Sequence, residues 1–131
     1  MNLRGFLRMF GNYLNVEVLL GKTLTKIEKK DNAELFFHTT DGEIYKMYHE
    51  QNCCESVEIE EVVGDLEDLV GSPITMAEET SQEGESDWGS QTWTFYKFAT
   101  NNGYVTIRWL GESNGYYSES VDFVKVENED N

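Results

Sequence analysis

Apolar and polar residues alternate with a period of two along most of this chain, the signature of half-buried strands. The pattern predicts strands at 23–29, 34–39 (ELFFHT), 43–49 (EIYKMYH), 56–62 (SVEIEEV), 74–77, 91–99 (QTWTFYKFA) and 104–110 (YVTIRWL). Along 91–99, Trp93, Phe95 and Lys97 fall on one face, and Thr94, Tyr96 and Phe98 on the other. Asp41-Gly42 and Asn114-Gly115 are hairpin signals, and Asp31-Asn32 and Asn101-Asn102-Gly103 mark further turns. Helical spacing occurs in two places. Leu3, Phe6, Leu7, Phe10 and Leu14 form one apolar stripe, and 65–70 fits a short helix with Asp65 as N-cap and Gly71 as its stop.

The expected fold is therefore mainly β, with two antiparallel meanders packed in one domain. Residues 1–15 read as an N-terminal helix extension and 16–77 as the first meander with its short helix. Residues 78–90 (EETSQEGESDWGS) read as a mobile acidic loop in which Trp88 is the odd residue, and 91–126 as the second meander. The tail 127–131 is expected to fray. The meanders resemble each other. Glu55-Ser56-Val57-Glu58-Ile59 and Glu119-Ser120-Val121-Asp122-Phe123 occupy similar places, each preceded by a doubled residue, Cys53-Cys54 and Tyr116-Tyr117. An internal duplication and two ordinary meanders both account for this.

Charge changes the picture more than composition does. At 131 residues the chain suits one domain with one core. The formal net charge is −15, and between Asp41 and Ser90 there are 15 acidic residues against one basic residue, Lys46. Such a belt attracts basic surfaces and disfavours nucleic acid and anionic membranes as direct partners. The bland reading is that the acids only keep the domain soluble. No apolar run approaches the ~20 residues a membrane span needs. Arg8, Gly11 and Asn12 interrupt the apolar start, so a signal peptide is not expected and a cytoplasmic protein is. Adjacent cysteines at 53 and 54 favour free thiols over a disulfide framework.

The candidate chemistry is thin. His49, Cys53 and Cys54 are ligand types zinc accepts, with His38 in a neighbouring strand, but no second pair completes a site. Gly21-Lys22-Thr23 lacks the preceding glycine of a phosphate-binding loop, since Val16 stands there. A Cys–His dyad is disfavoured because the acids near 50–60 raise a thiol pKa. Paired carboxylates such as Glu58 with Glu60 alternate with apolar residues, which suits a solvated face better than a catalytic cleft. Tyr116 and Tyr117, near a turn, are residue types favoured at protein interfaces.

The stretches LLGKTLTKIE, TTDGEIYKMYHEQNCCESVEIEEVVGDLEDLVGSPI and SQTWTFYKFATNNGYVTIRWLGESNGYYSESVDF resemble an uncharacterised domain family of phage and bacterial proteins. The CCESV and SNGYYSESV segments carry the likeness, which covers residues 19 to about 124. The resemblance supplies no activity; it implies a small phage- or prophage-encoded accessory protein. Together with the charge, it leads to the expectation of a non-enzymatic, anti-CRISPR-like protein without a cofactor, acting in the host cytoplasm. It would block a host defence protein by occupying its basic nucleic-acid-binding surface. The contact residues expected are Glu55, Glu58, Glu60, Glu61, Asp65, Glu67, Asp68, Tyr116 and Tyr117. A second expectation is a homo-oligomer that binds a small molecule or signal nucleotide between the hairpin tips 49–56 and 111–120. A third is a metal-dependent enzyme using His49 and Cys53. A homodimer is compatible with the first reading also.

Overall fold

The computed structural model describes residues 13–87 and 89–126. Eight strands follow in order: β1 (Leu24–Lys30), β2 (Glu34–Thr39), β3 (Ile44–Tyr48), β4 (Ser56–Val63), β5 (Met76–Ser86), β6 (Gly89–Thr100), β7 (Gly103–Ser113) and β8 (Asp122–Lys125). They form two four-stranded antiparallel sheets, ordered β1-β2-β3-β8 and β4-β7-β6-β5. The inward residues of the two sheets interdigitate as in other face-to-face sheet packings. Phe37 meets Phe98 across the layers at 5.6 Å between ring centroids, and the Trp109 indole N–H donates to Met47 Sδ at 3.3 Å. Thr94, Tyr96 and Phe98 of β6 all face inward, as the alternation predicts.

The meanders do not keep their own fourth strands. β4 leaves β1-β2-β3 and pairs with β7, while β8 leaves β5-β6-β7 and pairs with β3. The expected mainly β fold with two antiparallel meanders is what forms; alternation assigns a residue to a face but says nothing of which strand lies beside it, so the exchange of fourth strands is a feature the pattern leaves open. A second difference concerns 78–90. This segment is strand and hairpin turn rather than loop: β5 pairs with β6 without a break from Met76↔Ala99 to Ser86↔Gly89. Its Ser, Gln and Glu residues look like loop composition, but β5 is an edge strand, and charged edges are how sheets avoid pairing with other chains.

The segments expected to be helical are short. Residues 66–69 form a single 3-10 turn, as do 16–19, which the sequence marks only as an apolar run. The stripe over 3–12, Trp88 and the tail 127–131 lie outside the described residues.

The two 3-10 turns are copies of one device. Asn15 and Asp65 each cap a turn by accepting the backbone N–H of Glu17 and Glu67. Gly21 and Gly71 each follow with positive φ, 82° and 92°, which glycine adopts without strain. The turns then embrace: Gly21 N–H donates to Ile74 O at 2.8 Å and Gly71 N–H to Leu24 O at 2.9 Å. These pairs are exchanged by adding fifty to one residue number and subtracting fifty from the other (21 and 71, 24 and 74). The two halves thus share one strand order and one turn device, and they meet at the Thr23–Pro73 bridge.

Candidate functional site

Each repeat ends in a crossover that carries its fourth strand to the other sheet, and a buried glutamate lies just ahead of that strand. Glu55 is 4% exposed and Glu119 9%. A buried carboxylate needs compensating donors, and the two positions find different ones.

Glu55 accepts from His49 Nε2 at 2.8 Å and from the backbone N–H groups of Asn52 and Cys53 at 2.8 and 2.9 Å. The His49 side chain is itself almost wholly buried, and its Nδ1 meets the carbonyl oxygen of Ser120 at 2.6 Å. Both ring nitrogens thus have partners inside the fold. His49 thereby ties the first crossover to the second. Burial pushes the Glu55 pKa up, but the bonds from His49, Asn52 and Cys53 outweigh it and hold the carboxyl down at about 2.

Glu119 has no imidazole beside it. Three hydroxyls surround it, those of Ser90, Ser113 and Thr92, the last at 2.8 Å. Burial raises its pKa, and the hydroxyl donors together bring it below the ordinary value. The crossover lies so close to β7 that a Cβ at Gly111 would come within 2.6 Å of Glu119 O. Glycine is what allows this approach.

These positions correct the expected contact surface. Glu55 is spent inside the fold and unavailable to a partner. Asp68 is half-buried, its carbonyl accepting from the Thr100 hydroxyl. Glu58, Glu60, Glu61, Asp65 and Glu67 are exposed. A bulge between Ile59 and Glu61 brings Glu60 and Glu61 together onto Arg108 of β7, each at 2.7 Å. Glu60, Glu61, Asp65 and Glu67 border one open groove of about 700 Å³, facing Lys29 and Asn32 of the β1–β2 turn. Tyr116 projects into solvent, and Tyr117 packs edge-on against it at 5.0 Å.

The metal candidates do not converge. Cys53 and Cys54 are exposed and joined to each other as a disulfide, where the sequence favoured free thiols. The disulfide leaves no thiolate for a metal, and both His49 nitrogens are occupied. Among the described residues no group of three or more His, Cys, Asp or Glu could hold a metal ion. Nor is any helix among them long and apolar enough to cross a membrane.

Sequence reasoning missed one concavity. Residues of the hairpin β5–β6 and of the segment 117–121 line a cleft of about 460 Å³. Its lining includes Glu79, Ser81, Glu83, Thr92, Thr94 and Tyr117. The signal was present as Glu79, Ser81 and Glu83 at alternate positions, but it is recognisable only once 78–90 is read as a strand.

Together these features define an all-β protein of two exchanged repeats with an acidic outer groove and a polar inner cleft. The chain belongs to a domain family of unknown function, DUF7448, whose family model matches residues 17–123. No curated protein and no solved structure matches it.

Proposed function

We propose that this protein is a non-enzymatic binding protein that occupies the basic, nucleic-acid-binding surface of a host defence protein, in the manner of a phage-encoded inhibitor. The observation that carries the reading is the line of exposed carboxylates, Glu58, Glu60, Glu61, Asp65 and Glu67, along the edge strand β4 and the turn that follows it. Charges on a strand edge are held in fixed order, with alternate residues about 7 Å apart. That presents an ordered row of negative charge, as a nucleic-acid backbone does. Arg108 and Lys29 border the same row and set its register without reversing its sign. Complementary charge of this kind speeds docking and makes it salt-sensitive.

The test is capture of partners from a bacterial host lysate on the tagged protein, with washes at low and high salt and elution by single-stranded DNA. A basic nucleic-acid-handling protein released by salt and by DNA is expected. Glu58→Lys, Glu60→Lys and Glu61→Lys in one chain should abolish its retention, and unchanged retention overturns the proposal. A signal nucleotide is the weaker alternative, because no Lys, Arg or His lines the cleft beside the 117–121 segment.

A further inference from the structure

The outer faces of the two sheets treat their aromatic rings differently. On the β1-β2-β3-β8 sheet, Phe36 of β2 and Lys46 of β3 are cross-strand neighbours, and Tyr48 follows Lys46 on the same face. The chain covers these rings with its own cations. Lys30 Nζ lies 4.8 Å from the Phe36 ring centroid, and Lys46 Nζ lies 5.8 Å from that of Phe36 and 4.3 Å from that of Tyr48. Glu34 pairs with the Lys46 amine at 3.2 Å. The ammonium group thus rests on ring faces with a carboxylate beside it, an arrangement that stabilises it twice.

On the β4-β7-β6-β5 sheet the outward rings carry no cation. Trp93 and Phe95 stand two residues apart on β6, on the face opposite the buried Thr94 and Tyr96, and both are half-buried. Cross-strand pairing puts Glu58, Leu110, Trp93 and Gln82 in one row and Glu61, Arg108, Phe95 and Thr80 in the next. The Trp93 ring spreads over Gly84 of β5, where a Cβ would meet its Cζ3 at 3.0 Å. Among the described residues no Lys or Arg lies over Trp93 or Phe95. Arg108, beside Phe95 in its row, is turned to Glu60 and Glu61. Glu58, at the end of the Trp93 row, is exposed and has no ion pair among the described residues.

This face therefore holds the rings and the carboxylate of the other sheet's arrangement without its cation. Two strand spacings separate Glu58 from Trp93, about 10 Å between Cα atoms, which one long basic side chain lying over Leu110 spans. A guanidinium suits the place better than an ammonium group, because its plane stacks on an aromatic ring while its fork meets a carboxylate. A second copy of the chain is a poor occupant, since each copy carries a net charge of −15. An aromatic and aliphatic centre of Trp93, Phe95 and Leu110 beside a charged row is also the anatomy of a protein interface, with its anchor inside a polar rim.

We propose that the outer face of this sheet anchors the basic partner by taking one of its arginines, stacked on Trp93 and paired with Glu58. The inference rests on the reading of a basic partner given above. It adds the residue type that the partner must present and the place where that residue lands.

The test is titration of the full chain with oligo-arginine and with oligo-lysine of equal length at matched ionic strength. The arginine peptide is expected to bind about tenfold more tightly. Trp93→Thr, a strand former at an outward position, should bring the arginine peptide to the lysine level and lower the lysine peptide much less. In the unaltered chain the Trp93 indole N–H resonance should shift on addition of the arginine peptide while that of the buried Trp109 stays, which reads the contact without any variant. Equal affinities, a preference that survives Trp93→Thr, or an unmoved Trp93 resonance overturns the proposal. So does a concentration-dependent dimer that Trp93→Thr dissolves, because a second copy would then cover the rings. The two readings fail separately. An arginine preference alongside unchanged capture of the host protein by the triple charge reversal defeats the host-protein reading alone. Loss of that capture without an arginine preference defeats this one alone.

Discussion

The two repeats solve one problem with different chemistry. Each must bury a glutamate where the chain crosses to the opposite sheet. Six residues before it stands the side chain that answers it, His49 for Glu55 and Ser113 for Glu119. The first repeat uses one imidazole aided by two backbone N–H groups. The second uses three hydroxyls and a glycine that lets the backbone close in. A buried carboxylate that leans on one side chain is stranded when that side chain is lost. A cage of hydroxyls shares the load and loses one member at a time. The same fold position is therefore brittle in one half and tolerant in the other.

Truncating the two partners breaks this comparison most directly. His49→Ala should cost about 3 kcal/mol, since it leaves the Glu55 carboxylate buried without the imidazole and cuts the link to Ser120. Ser113→Ala should cost about 1 kcal/mol, because Ser90 and Thr92 remain. Urea unfolding of the two variants decides it, and equal losses would show that the imidazole carries no special weight.

Acid sharpens the contrast. Glu55 is held at about 2, below the ordinary carboxylate value of 4.5. A depressed pKa contributes stability that is complete above the unfolded value and is lost as pH falls through the folded one. Stability should therefore drop between about pH 4.5 and about pH 2. Glu55→Gln should lower stability at neutral pH and flatten that slope. Parallel stability curves for the two proteins would place the acid sensitivity elsewhere.

The smallest effects test where the repeats agree. Gly21→Ala and Gly71→Ala each force a side chain into a positive-φ position with open space around it. Each should cost about 1 kcal/mol, and the two losses should match. A large inequality in thermal melting would show that the symmetry of the turns is only geometric.

Much of the architecture can be read from the alternation. The strands at 34–39, 56–62, 91–99 and 104–110 stand close to where the pattern puts them, because each has one face on the core. The exchange of β4 and β8 cannot be read that way, since period two records burial and not neighbours. The clearest repeat in the chain, Asn15-x-Glu17-x-Leu19-x-Gly21 against Asp65-x-Glu67-x-Leu69-x-Gly71, lies in turns, where hydrophobic patterning is silent. Glu55 reads as a contact charge because a sequence shows acidity but not the donors that the fold gathers around it. The cleft stayed hidden for the opposite reason: β5 is so polar that its pairing partner, and not its composition, makes it a strand.

The exchanged strands also set the order in which the molecule can be completed. Tyr45 pairs with Lys125 and Tyr48 with Asp122, so the edge of β3 waits for residues at the far end of the chain. During synthesis the β1-β2-β3 meander emerges first and must persist with that edge uncovered until β8 leaves the ribosome. Closing so long a loop is slow, and high contact order lengthens the interval during which the edge can pair with a stranger. Lys46, whose amine lies over the Phe36 and Tyr48 rings and pairs with Glu34, puts a charge on that waiting strand. It is the kind of residue that keeps an unfinished sheet from aggregating.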